Sequence, residues 1–219
     1  MTIPWVRGVQ ETGILTVFPG EEFRKSPNWG DALFNRILDE FNRLAAANLF
    51  GLRVARSGNA PVANGGGANV LLEISSGTHQ FFGTDGKPAT GKLDVSPGAV
   101  KGITHSLVVG NKKIRAFVFV PANPVIGKGG RSIGNAIKMG LTLHELLHAC
   151  GLGVEDPSHS SNLVGGDIFM TNSLVQAGSN ADGDKFDFIN RTEPNPAGQF
   201  SLSAATVRSV QNVWLLGQF

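Results

Sequence analysis

The sequence predicts a single α+β domain, and three observations carry that expectation. Strand-like apolar runs, a helical pattern, more strands, a second helix, a long loop and a last helix follow one another, rather than one period running throughout. The 219 residues are enough to bury one core. No shift in composition marks a boundary inside residues 1–219, which are therefore read as one domain.

The composition narrows the function classes. Charged residues make up 16%, apolar residues 41%, and there are 29 glycines, the profile of a globular chain with long loops. A net charge of +2, with no basic run or basic-aromatic patch, argues against nucleic acid. No stretch has the apolar length of a membrane span. The opening residues lack the charged and apolar regions of a Sec-type signal peptide. A monomer is expected. Cys150 is the one cysteine, which excludes an internal disulfide and any multi-cysteine zinc cluster.

Taken in order, Gly13 to Phe18 reads as a strand closed by Pro19-Gly20. Ser26-Pro27 offers a helix start, with Asp31 near the positive end of the dipole. Phe34, Ile37, Leu38, Phe41, Leu44 and Ala45 then recur at helical spacing. Leu52 to Ala55 and Asn69 to Ile74 are short strands, with a loop from Ser57 to Gly67 between them. Gly77 to Gly102 also reads as loop. Ile103 to Val109 and Lys113 to Val120 are two strands joined tightly through Gly110-Asn111. Pro121 to Gly130 is a linker, and a helix runs from about Ser132 to Cys150, stopped by Gly151. Gly153 to about Leu202 is loop. The closing helix begins near Ser203, with Val207, Val210, Trp214 and Leu215 on one face.

The chemistry concentrates in His144-Glu145-Leu146-Leu147-His148-Ala149-Cys150-Gly151. Histidines four apart share one helix face, so both imidazoles reach a single metal ion. At about 100° per residue, Glu145 projects about 60° to the side of His148, placed to act as a base on water held by that metal. Leu143, Leu146, Leu147 and Cys150 form an apolar stripe on the far side, so Cys150 reads as a small core residue and not a nucleophile. A catalytic zinc takes three protein ligands and keeps one position open. Glu155, Asp156, His159 and Asp167, in the loop after Gly151, are the candidates for the third. A glutamate from a later helix would have to be Glu193, which sits in a proline-flanked, non-helical run. His79 and His105 precede the helix and read as structural or solvated.

This pattern resembles the metzincin clan of zinc peptidases, matrixin-like in detail, whose motif is H-E-x-x-H-x-x-G-x-x-H followed by a methionine turn beneath the metal. The resemblance spans the first long helix, the strands, the motif helix, Met170 in Gly166-Asp167-Ile168-Phe169-Met170, and the closing helix at Leu202-Ser203. It implies a twisted, mostly parallel sheet, an active-site helix and a C-terminal helix. It also implies one zinc ion, a peptide or protein substrate, and endopeptidase activity. The chain departs from the motif at Val154, which stands where the third histidine belongs and cannot bind zinc. His159 is the only histidine downstream. It follows Gly151 by eight positions, enough chain to return to the metal, and imidazole suits zinc better than carboxylate. The expected ligands are therefore His144, His148 and His159, with Asp156 and Asp167 as alternatives.

Glu145 is expected to take a proton from the attacking water and hand it to the leaving amine. Some relatives of the clan place a tyrosine near the metal, and this chain has none. The resemblance implies a pocket wall just after Met170, and there this chain has Thr171, a substrate-binding candidate, in place of the usual wall residue. If the family layout holds, Ile103 to Val109 is the edge strand on which an extended substrate pairs, with Thr104, His105 and Ser106 within reach of it. The carboxylate-rich run from Asn180 to Asp187 lacks the EF-hand order and reads as a solvated turn, so calcium has no support beyond the acidic count. Competing readings are a non-catalytic zinc-binding or protein-binding domain, and a zinc hydrolase of a non-peptide substrate.

Overall fold

In the computed structural model the described residues are 3–63, 66–83, 85–96, 101–126, 131–153 and 200–215. His159, Met170, Thr171, the alternative ligands Asp156 and Asp167, Val154, Glu193 and the acidic run at 180–187 lie outside them.

The architecture is α+β around a mostly parallel five-stranded sheet. In chain order the elements are α1 (Arg7–Thr12), β1 (Ile14–Pro19), α2 (Glu21–Lys25), α3 (Gly30–Ala47), β2 (Arg53–Arg56), β3 (Val70–Ser75), β4 (Thr78–Phe82), β5 (Pro88–Lys92), β6 (Ile103–Val109), β7 (Lys112–Pro121), β8 (Val125–Ile126), β9 (Arg131–Ser132), α4 (Asn135–Cys150) and α5 (Ala204–Trp214). The sheet order is β2-β1-β3-β7-β6. The first four strands are parallel neighbours, and β6 alone runs antiparallel, at the edge beside β7. Gly110 and Asn111 both adopt positive φ, 54° and 61°, which is what a two-residue hairpin with matching twist needs.

Alternation along β7 divides the interior. Ala116, Val118 and Val120 face the main core, which α3 and α4 complete with Leu33, Phe34, Ile37, Phe41, Leu143 and Leu146. Phe117 and Phe119 point to the opposite face and join Leu107 in a second cluster, flanked by Phe81 and Phe82 of β4. The expected stripe on α3 is buried from Phe34 to Ala45. Inside that face Glu40 is buried as well, held by Arg43 through Nε to Oε2 at 2.8 Å and Nη2 to Oε1 at 2.6 Å. Asn42 clamps edge strand β2, accepting from the Val54 amide at 2.8 Å and donating to its carbonyl at 3.0 Å.

Several boundaries differ from the sequence expectation for local reasons. The first long helix starts at Gly30, not at Ser26-Pro27. Trp29 is buried against Phe23, ring centroids 5.4 Å apart, and donates from Nε1 to the Pro121 carbonyl at 2.9 Å, so the turn is pinned ahead of the helix. Two short helices, α1 and α2, were not expected. The segment from Gly77 to Gly102 is not all loop: β4 and β5 form an antiparallel hairpin. The linker after Pro121 contains β8, whose pairing with β9 takes Arg131 and Ser132 and delays α4 to Asn135. In α5, Ser203 caps the first turn by accepting from the Thr206 amide at 3.2 Å. Val213 replaces Leu215 on its buried face, because Leu215 falls at the helix end and is largely exposed.

Candidate metal centre

Helix α4 carries the motif across the main core. Leu143, Leu146, Leu147 and Cys150 are buried as a stripe, and burial pushes the Cys150 thiol up to about 12, so this cysteine stays protonated. His144 and His148 lie partly exposed on the other side. Their Nε2 atoms face one another at 3.1 Å. His148 Nδ1 is 2.7 Å from the Leu152 carbonyl, an acceptor only, so Nδ1 carries the proton and Nε2 presents its lone pair toward His144. Two ring nitrogens this close form an N–H···N hydrogen bond when one donates, and the same facing lets them share a metal instead; a carbonyl behind one ring is the usual second partner of a metal-binding histidine. The donor chemistry and the facing geometry both fit zinc.

Glu145, beside them, is 5% exposed. Burial pushes its carboxyl up to about 7, while a hydrogen bond from Thr104 works in the opposite direction. Thr104 Oγ1 lies 2.7 Å from Glu145 Oε2 and 3.0 Å from the Glu145 carbonyl. The edge strand β6 thus packs directly against the motif helix.

The C-terminal end of α4 is anchored from three directions. Lys113, only 4% exposed on β7, donates from Nζ to the carbonyls of His148 at 2.8 Å and Ala149 at 3.0 Å. Trp5 Nε1 donates to Ala149 O and Trp214 Nε1 to Cys150 O, each at 2.9 Å. These donors answer carbonyls that a helix end leaves unpaired, and an ammonium there complements the dipole. Gly151 follows with φ 120°, and a Cβ there would meet Val213 Cγ1 at 3.0 Å. Only glycine fits that exit without strain.

The structure therefore brings His144, Glu145, His148 and Thr104 together. Ser106 lies on the same face of β6 as Thr104 by alternation. The His105 ring goes to the other face, where its Nε2 is 2.9 Å from His79 Nε2 and the ring stacks on Phe81 at 3.9 Å. That placement pairs His105 with His79 on the far face of the strand, and it removes the His105 side chain from the face occupied by Glu145. Among the described residues no group of three histidine, cysteine or carboxylate side chains completes a metal site. Sequence reasoning missed Thr104 as a partner of Glu145, and it missed Lys113, Trp5 and Trp214. Lys113 gave no local signal, since Lys112 and Arg115 stand beside it in the sequence. No protein-family model matches this chain, and no curated protein matches it either.

Proposed function

We propose that this chain is a zinc-dependent peptidase of metzincin-like design, acting on extended peptide segments as an endopeptidase. The observation that carries the reading is the motif helix: two facing imidazole nitrogens 3.1 Å apart, one with its tautomer fixed from behind, and a buried carboxyl next in sequence. An antiparallel edge strand packed against that helix adds support, because an extended substrate needs such an edge for backbone pairing.

His144 and His148 would hold the ion, with His159 as the proposed third ligand. Zinc, when bound, polarises the carbonyl to be attacked and makes water more acidic. Glu145 takes the proton of the attacking water and delivers it to the amine as the peptide bond breaks. Its burial suits both halves of that task, since a carboxyl with a pKa near neutrality both accepts and returns a proton. Thr104 keeps the carboxyl directed while this happens.

The test pairs metal analysis with turnover. The purified protein is expected to hold one zinc per chain, and Glu145→Gln to keep the fold and the zinc while losing about 10²–10⁴-fold in rate. Turnover by the mutant near that of the wild type on a peptide library refutes the base. Less than half an equivalent of zinc in folded protein after loading refutes the centre. A zinc-loaded wild type that cleaves nothing in the library leaves a non-catalytic zinc protein as the reading.

A further inference from the structure

We infer that Gly102 and Thr104, at the start of the edge strand, form a socket that sets which oxygen of Glu145 is free to accept the proton. The inference rests on the peptidase reading above and concerns positioning residues, because each acts through Glu145.

Thr104 Oγ1 stands 2.7 Å from Glu145 Oε2. A hydroxyl has one proton to donate, and a carboxylate can only accept, so the Thr104 proton goes to Oε2 whenever Glu145 is ionised. The same hydroxyl lies 3.0 Å from the Glu145 backbone carbonyl. One proton cannot serve both acceptors, so with it on Oε2 the carbonyl contact marks how closely strand and helix approach and is not a second bond. Oε2 thereby has a partner, and no hydrogen bond to Oε1 occurs among the described residues, which leaves Oε1 as the oxygen for water.

Gly102 closes the other side. A Cβ at this position would lie 2.5 Å from Glu145 Cγ and 2.9 Å from both Cδ and Oε1. Its φ lies outside the left-handed region. An alanine there meets no left-handed strain, and the first atoms it would strike are those of the Glu145 side chain. Two residues before and within the strand that pairs with substrate thus fix the base, one by a hydrogen bond and one by having no side chain. Pulling the strand out of place displaces the base along with the substrate.

The alternative is that Thr104 merely satisfies a buried polar group, with no bearing on catalysis. Four variants separate the two: Thr104→Val, which keeps the shape and loses the hydroxyl, Thr104→Ser, which restores it, Gly102→Ala, and Glu145→Gln as the reference. Each is measured in the zinc-loaded full chain for zinc content, kcat and KM on a fluorogenic peptide that the wild type cleaves. A misplacement of about 1 Å costs about 10²-fold in rate. Thr104→Val and Gly102→Ala are expected to lose about ten- to hundredfold in kcat, with KM and zinc content within about twofold. Thr104→Ser is expected to return kcat to within about threefold of wild type. Wild-type kcat in Thr104→Val or Gly102→Ala, beside an inactive Glu145→Gln, overturns the socket and leaves the peptidase intact. So does a Thr104→Ser variant as slow as Thr104→Val, or a loss confined to KM. A wild type and a Glu145→Gln variant that cleave equally, or not at all, overturn the peptidase reading and the socket with it.

Discussion

Lys113 carries an ammonium into the core to reach the carbonyls of His148 and Ala149, and magnitudes decide what that contributes. Burial lowers its pKa from 10.5 to about 8, which sets the disfavour of the charged form at about 3 kcal/mol. Two charge-assisted hydrogen bonds at about 1.5 kcal/mol each, the lower end of their range, offset it. Neither carbonyl depends on the lysine alone: Ala149 O also accepts from Trp5, and His148 O from the Gly151 amide at 3.0 Å. Lys113→Met, which fills the volume without the charge, is therefore expected to change stability by no more than about 1 kcal/mol, in keeping with buried charges replaced by apolar side chains. Lys113→Ala is expected to cost about 2–5 kcal/mol through the cavity it leaves. Urea unfolding of the two variants checks this. A loss beyond about 3 kcal/mol in Lys113→Met would mean that the ammonium outweighs its desolvation.

At the scale of elements, the hairpin of β4 and β5 lies over the second apolar cluster and docks through His79 and His105. His79 stacks on Phe119 with centroids 3.9 Å apart, and its Nδ1 meets Ser75 Oγ at 3.1 Å. The Nε2 contact between the two rings needs one donor and one acceptor, so at least one ring must be neutral there. Burial lowers both pKa values, that of His79 from 6.5 to about 4. The unfolded chain therefore takes up protons first as pH falls. The stabilisation is complete above about pH 6.5 and is lost on the way down to about pH 4, by at most about 3 kcal/mol for His79. Urea midpoints measured from pH 7 to 4.5 should drop more steeply for wild type than for His79→Gln. Parallel curves would show that the pair does not titrate in that window. This hairpin was hidden in the sequence for a physical reason. Its exposed positions are Thr, Gln, Pro and Lys, and Asp85-Gly86 reads as loop punctuation, so only Phe81 and Phe82 signal a buried side. By contrast the β6–β7 hairpin was legible to within a residue or two, because its alternation is strong and Gly110-Asn111 is a turn by local chemistry. Helices α3 and α4 were legible from their stripes, while their starts were not, since Trp29 and the β8–β9 pair act through tertiary contacts.

Across the whole molecule, the motif helix is fixed at its C-terminal end by groups from the N-terminal segment, from β7 and from α5, through Trp5, Lys113 and Trp214. Nothing in the sequence near residue 144 announces those anchors, or the socket at Gly102 and Thr104, because each joins positions tens of residues apart. The proposed ligand pair and proposed base were legible because a single helical turn sets the geometry of His144, Glu145 and His148. The third ligand falls between these cases. His148 Nδ1 binds the carbonyl of Leu152, so the chain leaves the helix with its backbone held beside the His148 ring. From Leu152, His159 is seven residues on, and at about 3.3–3.6 Å per residue that chain reaches up to roughly 24 Å, far more than a return to the ring requires. Reach therefore does not choose between His159 and Asp156, and ligand chemistry does. A neutral imidazole completes a three-histidine set that zinc binds well, whereas a carboxylate is the harder, less suited donor. His159→Ala is expected to weaken zinc binding by at least about 10²-fold, and Asp156→Ala to leave it within a few-fold, read by competition with a chelating dye. Both variants should keep the wild-type urea midpoint in the zinc-free state, so that lost affinity reports the ligand and not the fold. Should Asp156→Ala lose the metal while His159→Ala retains it, the centre is built from two histidines and a carboxylate. The assignment of His159 then falls, with His144, His148 and Glu145 keeping their places.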